Sequence, residues 1–328
     1  MNKLSSKISV RKAAYLMASV ILLLVFAFID RMEFSDAENY LINYNAVFAN
    51  ELSTDMDISF KYMAILADRL GGITALFLMY SLLSVSLKLM AIYKFSMNII
   101  LSLMIYASFY FTLHDIIQIR VAVASSFFLF FLFALLQRSW ISSVSYFILA
   151  VIFHLQSIFI IAFLIYIKTI NNRIRIFFSL ILSYIIGALF VLPAMYQLAD
   201  VFSRYIPAKV IRDITTYYVN NDSVNFTNHH FLVNITITLM YLFFVRFKGL
   251  KREELFLLKA ISFSLCIFLA FHKINVFAWR LFEYFNIVIL IFMPYALVRV
   301  KQRHFMILFV YLYIISNFYK SLELWGLI

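Results

Sequence analysis

Apolar runs long enough to cross a bilayer of ~30 Å recur from end to end of this 328-residue chain, and they decide its fold class. About eleven candidate spans can be marked: 13–29, 71–92, 96–112, 120–136, 140–153, 155–167, 174–193, 231–247, 255–271, 281–298 and 304–319. The chain is 65% hydrophobic and 13% charged, with 38 Phe, 21 Tyr and only 5 Gly and 3 Pro. Its mean hydropathy is +0.94. A soluble globular domain does not have this composition. The expected fold is an all-α polytopic integral membrane protein of about eleven helices, in the range of roughly 10–12. The runs at 140–153 and 155–167 fall short of a usual span, so a tight helical hairpin or a re-entrant pair is expected there.

The charges orient the chain. With the amino terminus inside, Lys3, Lys7, Arg11, Lys12, Lys94, Arg138, Lys168, Arg173, Arg175, Arg246, Lys248, Lys251, Arg252, Arg299, Lys301 and Arg303 fall in inner loops, as the positive-inside rule requires. Of the 16 Asp and Glu, only Glu253 and Glu254 then lie inside. The net charge of +12 is therefore a topology signal, and no nucleic-acid partner is implied. Met1 to Lys12 followed by an apolar run with no small-x-small cleavage site reads as a retained signal-anchor span. The lone Cys266 lies within a span, which excludes an intrachain disulfide and offers no thiol chemistry.

No internal repeat or linker divides residues 1–328, which read as one integral membrane domain. Two outer segments are expected. In the first, residues 30–70, Asp36, Tyr40, Tyr44 and Phe48 recur at a four-residue step, with Asp55, Asp57 and Lys61 beyond. This suits an interfacial helix, or a surface whose rings and carboxylates contact sugar. The second, residues 194–230, carries Arg204, Lys209, Arg212, Tyr217 and Tyr218, and reads as a lid or acceptor loop.

Three polar constellations sit at the outer ends of spans. Between two apolar runs stands His114-Asp115-Ile-Ile-Gln118-Ile-Arg120. Ionisable groups at membrane depth cost roughly 2.5–3.5 kcal/mol each, so they face a bundle interior or a watery cavity. His114 and Gln118 share a face of a regular helix, whereas Asp115 and Arg120 lie about 140° apart. The functional reading has Arg120 gripping a phosphate, since a guanidinium binds oxyanions bidentately; the alternative is a satisfied helix-end network. The second constellation is His154-Leu-Gln-Ser157, with His154 and Ser157 able to share a face. The third is His272-Lys273 followed by Arg280-Leu-Phe-Glu283-Tyr284-Phe285, where an Arg280–Glu283 ion pair competes with ligand binding. Two arginines and a lysine on one side of the membrane suit a diphosphate. No His-x-Glu, Cys-x-x-Cys or carboxylate pair at metal spacing accompanies them, so no metal and no cofactor is expected.

In order, Asp36-x3-Tyr40-x3-Tyr44, then Phe111-Thr-Leu-His114-Asp115-Ile-Ile-Gln118-Ile-Arg120, Ile152-Phe153-His154-Leu-Gln-Ser157 and Arg280-Leu-Phe-Glu-Tyr284-Phe285 before Pro294 resemble the EpsG-like branch of the Wzy-type polysaccharide polymerases. The resemblance runs over about residues 13–300. The chain departs from the pattern at Ile58-Ser-Phe60-Lys61-Tyr62, where such proteins often show Glu-x-Gly-Tyr/Phe, and after His154, where a serine commonly follows.

The resemblance implies a bacterial inner-membrane, metal-independent glycosyltransferase with GT-C-like architecture that lengthens O-antigen, capsule or exopolysaccharide on the periplasmic side. Its donor would be a growing glycan on undecaprenyl diphosphate and its acceptor a lipid-linked repeat unit, with a chain-length regulator as a further partner and membrane lipid around it. Arg120 and Arg280, then Lys273, would stabilise the leaving diphosphate. The base would be Asp115, His114 or His154. Gln118, Asp36, Tyr40, Tyr44, Ser157 and Tyr284 would contact substrate. The other classes are an O-antigen ligase, a flippase or transporter, and a membrane acyltransferase using His114 or His154. Scarce Gly and Pro argue against the broken, repeated helices of a transporter.

Overall fold

The computed structural model describes residues 36–49, 57–191, 224–245, 249–300 and 303–326, with Tyr15, Phe34 and Pro193 as isolated positions. The expected first span at 13–29 and most of the outer segment at 194–230, including Arg204, Lys209, Arg212, Tyr217 and Tyr218, lie outside the described residues. Every regular element among the described residues is helical. In chain order they are α1 (Ala37–Phe48), α2 (Ile58–Asp68), α3 (Ile73–Phe95), α4 (Ile99–Ile117), α5 (Ile119–Leu136) and α6 (Trp140–Phe153). A 3₁₀ turn, Leu155–Phe159, leads into α7 (Ile160–Thr169). There follow α8 (Arg173–Val191), α9 (His229–Phe244), α10 (Arg252–Ala270), α11 (Asn275–Asn286), α12 (Ile289–Arg299) and α13 (Arg303–Leu324).

Five of these helices (α3, α4, α5, α8 and the part of α13 from Met306) are each long and apolar enough to cross a membrane. The broken pair α11 and α12 makes six if counted as one span. Length and composition thus give five or six spans among the described residues, against about eleven expected. The difference has identifiable sources. The runs at 140–153, 155–169 and 229–244 form helices that are apolar but short. Helix α10 carries Arg252, Glu253, Glu254 and Lys259 within its 19 residues. The run at 281–298 is interrupted at Ile287-Val288.

Two compact units are present. The first comprises residues 1–160, Leu290–Val298 and 302–328. Helix α5 is apolar all round and buried nearly throughout, as a helix in the middle of a bundle must be. Its Ala122, Ala124, Ser125 and Ser126 keep the packing close, and the Ser126 hydroxyl bonds back to the Ala122 carbonyl at 2.7 Å.

The second unit comprises Ile161–Ile289 and residues 299–301. Its core packs Leu180 of α8 and Phe231 of α9 against Leu265, Phe268 and Leu269 of α10 and Phe282 of α11. Gly187 in α8 passes so close to α10 that a Cβ there would lie 2.5 Å from the Leu269 and Ala270 carbonyl oxygens. Only glycine fits at that crossing.

Pro294 sits inside α12, where its ring removes the amide that would bond the carbonyl of Leu290. The Ser102 hydroxyl of α4 donates to that carbonyl instead, at 2.5 Å. Without water in the hydrocarbon, a freed carbonyl must be answered from a neighbouring helix. Ser102→Ala is expected to cost about 1–3 kcal/mol, the penalty of an unsatisfied buried acceptor, and to lower the melting temperature of the purified protein. Adding Pro294→Ala restores an amide to α12 and should recover much of that loss.

Candidate functional site

Helix α4 is the element that builds the site. Its segment Tyr106–Ile117 is wound as a π-helix, the i→i+5 form that is rare and frequent at functional sites. The winding has a consequence for side-chain direction. On a regular helix Tyr106 and Asp115, nine residues apart, would point to opposite sides. The wider π turn advances only about 80° per residue, so nine residues make about two full turns. The Tyr106 hydroxyl accordingly donates to Asp115 Oδ2 at 2.7 Å. The other carboxylate oxygen, Oδ1, accepts from Lys88 Nζ at 2.8 Å and from the Ser84 hydroxyl. The Ser81 hydroxyl closes the Asp115 backbone carbonyl at 2.5 Å. Lys88 and Asp115 are both fully buried.

The helix ends at Gln118 (φ −100°, ψ 59°), and α5 restarts at Ile119. The four-residue relation expected between His114 and Gln118 is lost in this break. Asp115 and Arg120 do not pair with each other but go to separate carriers, Lys88 and Asp57. His114 is fully buried, its ring against Tyr110 at 5.2 Å and its Nδ1 at 3.4 Å from the Ser125 hydroxyl.

Arg120, in the first turn of α5, forms the centre of a second cluster. Its Nη1 donates to Asp57 Oδ2 at 2.5 Å, and its guanidinium carbon lies 5.7 Å from the centre of the Tyr40 ring. Arg120 Nε has no hydrogen-bond partner among the described residues. Asp57 stands before α2 without capping it; its Oδ1 instead accepts the amide of Leu155 at 2.8 Å, at the start of the 3₁₀ turn. His154 terminates α6 in an extended conformation (φ −155°, ψ 113°), with Nδ1 3.6 Å from Asp57 Oδ2 and Nε2 3.1 Å from Gln156 Oε1. One carboxylate therefore fixes a guanidinium, an imidazole and a helix start. Burial pushes the Asp57 carboxyl upward, but the adjacent His154 imidazole, the Arg120 guanidinium and the Leu155 amide outweigh it and hold it below the usual carboxylate range.

The remaining expected residues are distributed as follows. Tyr40 is buried, stacked on Phe60 and edge-on to Phe77, and Tyr44 donates to Asp68 Oδ1 at 3.0 Å. Asp36 precedes α1 without capping it. Ser157 is buried and donates to the Ala150 carbonyl at 3.0 Å, tying the turn to α6. Lys273, Arg280 and Tyr284 belong to the second unit. There Lys273 is exposed, Arg280 is half-buried in α11, and Tyr284 is fully buried. Neighbouring His272 donates from Nδ1 to the Leu269 carbonyl at 2.7 Å, and its ring stacks on Tyr184. Among the described residues no group of three His, Cys, Asp or Glu is placed to hold a metal.

Two residues to which the motifs do not point complete the clusters. Lys88 has a signal, since a lysine inside an apolar span requires a buried counter-ion. Asp115 is the sole carboxylate between Asp68 and Asp200. Asp57 has a weaker signal: an Asp before a helix reads as an ordinary N-cap.

A polytopic helical membrane protein with a buried Arg–Asp–His cluster at its helix ends is the class that this geometry defines. A family model described as EpsG family matches residues 14–324, and the chain belongs to that family, which is associated with Wzy-like polysaccharide polymerases. No curated protein and no solved structure matches the chain.

Removing one member of the Lys88–Asp115 pair leaves a buried charge uncompensated. Lys88→Met is expected to destabilise by about 3–5 kcal/mol, while Lys88→Met with Asp115→Leu should return close to wild-type stability in a thermal-unfolding series. Asp57 gives a pH signature. Its folded pKa is lowered, so its stabilisation is complete above the ordinary carboxylate value of about 3.9 and disappears as pH falls through the folded value. Acid titration of the melting temperature should show that loss, and Asp57→Asn should remove it.

Proposed function

We propose that the protein is a polysaccharide polymerase of the inner membrane that transfers a growing glycan from undecaprenyl diphosphate onto a lipid-linked repeat unit on the periplasmic side. Membership of the EpsG family supports the polymerase class. The observation that carries the mechanism is the state of Arg120. Asp57 occupies Nη1 and Tyr40 lies against the guanidinium face, while Nε has no partner among the described residues. A buried guanidinium nitrogen left without a partner is a donor that an oxyanion entering the site can satisfy.

In the proposed reaction the acceptor hydroxyl oxygen attacks the anomeric carbon of the donor sugar. The bond from that carbon to the diphosphate oxygen breaks, and undecaprenyl diphosphate leaves with the electron pair. Arg120 stabilises the charge that develops on the leaving group. The proton of the acceptor hydroxyl goes to His154. Asp57 orients that imidazole and stabilises its protonated form, since the Asp57 carboxylate lies 3.6 Å from His154 Nδ1. Asp115 is engaged by Lys88, Tyr106 and Ser84, which fits a structural role. Gln118, at the break beside Arg120, and Tyr40 are proposed to border the substrate. The Phe-rich apolar surface would accommodate the two polyprenyl tails and align the reactants near the outer leaflet.

A polymerase-null strain complemented with each variant tests the reading on a lipopolysaccharide or capsule gel. Wild-type protein should restore the ladder, whereas Arg120→Ala, inserted normally, should leave the single-repeat product. The loss of one such stabilising group is expected to lower the rate by about 10²–10³. A normal ladder from Arg120→Ala would sink the assignment, and rough core in the null strain would favour a ligase. Arg280→Ala on the same gel shows whether the guanidinium of the second unit also serves the transfer.

A further inference from the structure

The α7–α8 turn of the second unit carries Lys168, Arg173 and Arg175, all exposed. No carboxylate occurs between residues 160 and 191, and none of the three cations forms an ion pair among the described residues. The turn is fixed in shape. Asn172 Oδ1 caps the start of α8 by accepting from the Arg175 amide at 2.8 Å, and Arg175 Nη1 donates to the Thr169 carbonyl at 3.0 Å. From α10, Lys259 Nζ donates to the Ile167 carbonyl at 2.9 Å and to Asn171 Oδ1 at 3.2 Å.

From Arg175 a groove of about 560 Å³ runs along α8, lined by Ile170, Phe178, Ile181, Leu182 and Ile185. Phe178 and Leu182 are 60% and 57% exposed, so this face is not covered by the described residues. The ten residues from Arg175 to Ile185 rise about 15 Å, half of the ~30 Å hydrocarbon thickness. That is the depth of one leaflet.

We propose that this groove is a binding site for an anionic glycerophospholipid, with one acyl chain along Phe178–Ile185 and the phosphate on Arg175, backed by Arg173 and Lys168. The charge complementarity selects an anionic headgroup, and the groove selects an attached chain of one-leaflet length. The turn carries the cations that the positive-inside rule assigns to the inner side, whereas the donor proposed above is used on the periplasmic side. The occupant is accordingly a structural lipid and not the donor.

The test uses full-length protein in a neutral detergent, with thermal unfolding and native mass spectrometry as readouts. Phosphatidylglycerol should raise the melting temperature and remain bound; phosphatidylcholine and free glycerol phosphate should do neither. Arg175→Gln should reduce retained phosphatidylglycerol about fivefold, the contribution expected of one basic side chain. Leu182→Trp or Ile185→Trp, which obstruct the groove and leave the cations, should reduce it as well. Arg175→Gln should still support a normal polysaccharide ladder, which separates this site from the polymerase reading. Equal effects of phosphatidylcholine, unchanged retention in both the arginine and tryptophan variants, or displacement of phosphatidylglycerol by equimolar undecaprenyl phosphate would each overturn the proposal.

Discussion

The ion pair between Lys88 and Asp115 is the interaction on which the first unit depends. Two charges with no exposure to solvent can persist in an apolar bundle only if each answers the other and the remaining lone pairs are filled. Ser84 and Tyr106 fill them, and Tyr106 reaches the carboxylate only because Tyr106–Ile117 is a π-helix. The pair and the winding therefore require each other. The break at Gln118 follows directly on this segment, and it sets where α5 starts and where Arg120 points.

Serine hydroxyls accompany nearly every irregularity that this arrangement needs. Ser81 closes the Asp115 carbonyl at the end of the π segment, and Ser321 of α13 donates to the Ser108 carbonyl within it, at 2.7 Å. Ser102 answers the carbonyl freed by Pro294, and Ser157 ties the 3₁₀ turn to the end of α6. In hydrocarbon each such carbonyl must be bonded within the protein, and a serine is the smallest side chain that can do so. The second polar cluster uses the same economy with charge. One carboxylate, Asp57, holds Arg120, faces His154 and accepts the Leu155 amide.

Much of this is written in the sequence, but not evenly. The apolar runs from 71–92 onward fall on helices, because burial periodicity and length are local properties. The polar stretch from His114 to Arg120 announces itself by its cost in an apolar context. Lys88 carries a signal of its own, a lysine inside an apolar span that needs a buried counter-ion, but Asp68 is nearer to it in the chain than Asp115, so only the packing selects the partner. Nor was the partner of Arg120 legible. Asp55 and Asp57 are equivalent by spacing, and 63 residues separate Asp57 from Arg120, so only the packing of α2 against its neighbours selects one. The π winding leaves no pattern in the sequence either. A regular helix predicts the angle between Asp115 and Arg120 but cannot predict that both turn to other partners.

Arg120 is proposed to hold Asp57 through Nη1 and to bind a diphosphate through the Nε that has no partner among the described residues. Arg120→Lys separates these two roles, since an ammonium can still neutralise Asp57 but has no second planar edge. Titration of undecaprenyl diphosphate into the purified wild-type and Arg120→Lys proteins measures the difference directly. The lysine variant is expected to fold and melt close to wild type yet bind the diphosphate at least about tenfold more weakly, the loss of ~1.4 kcal/mol or more. Equal affinity in the two proteins would contradict the proposed role of Arg120.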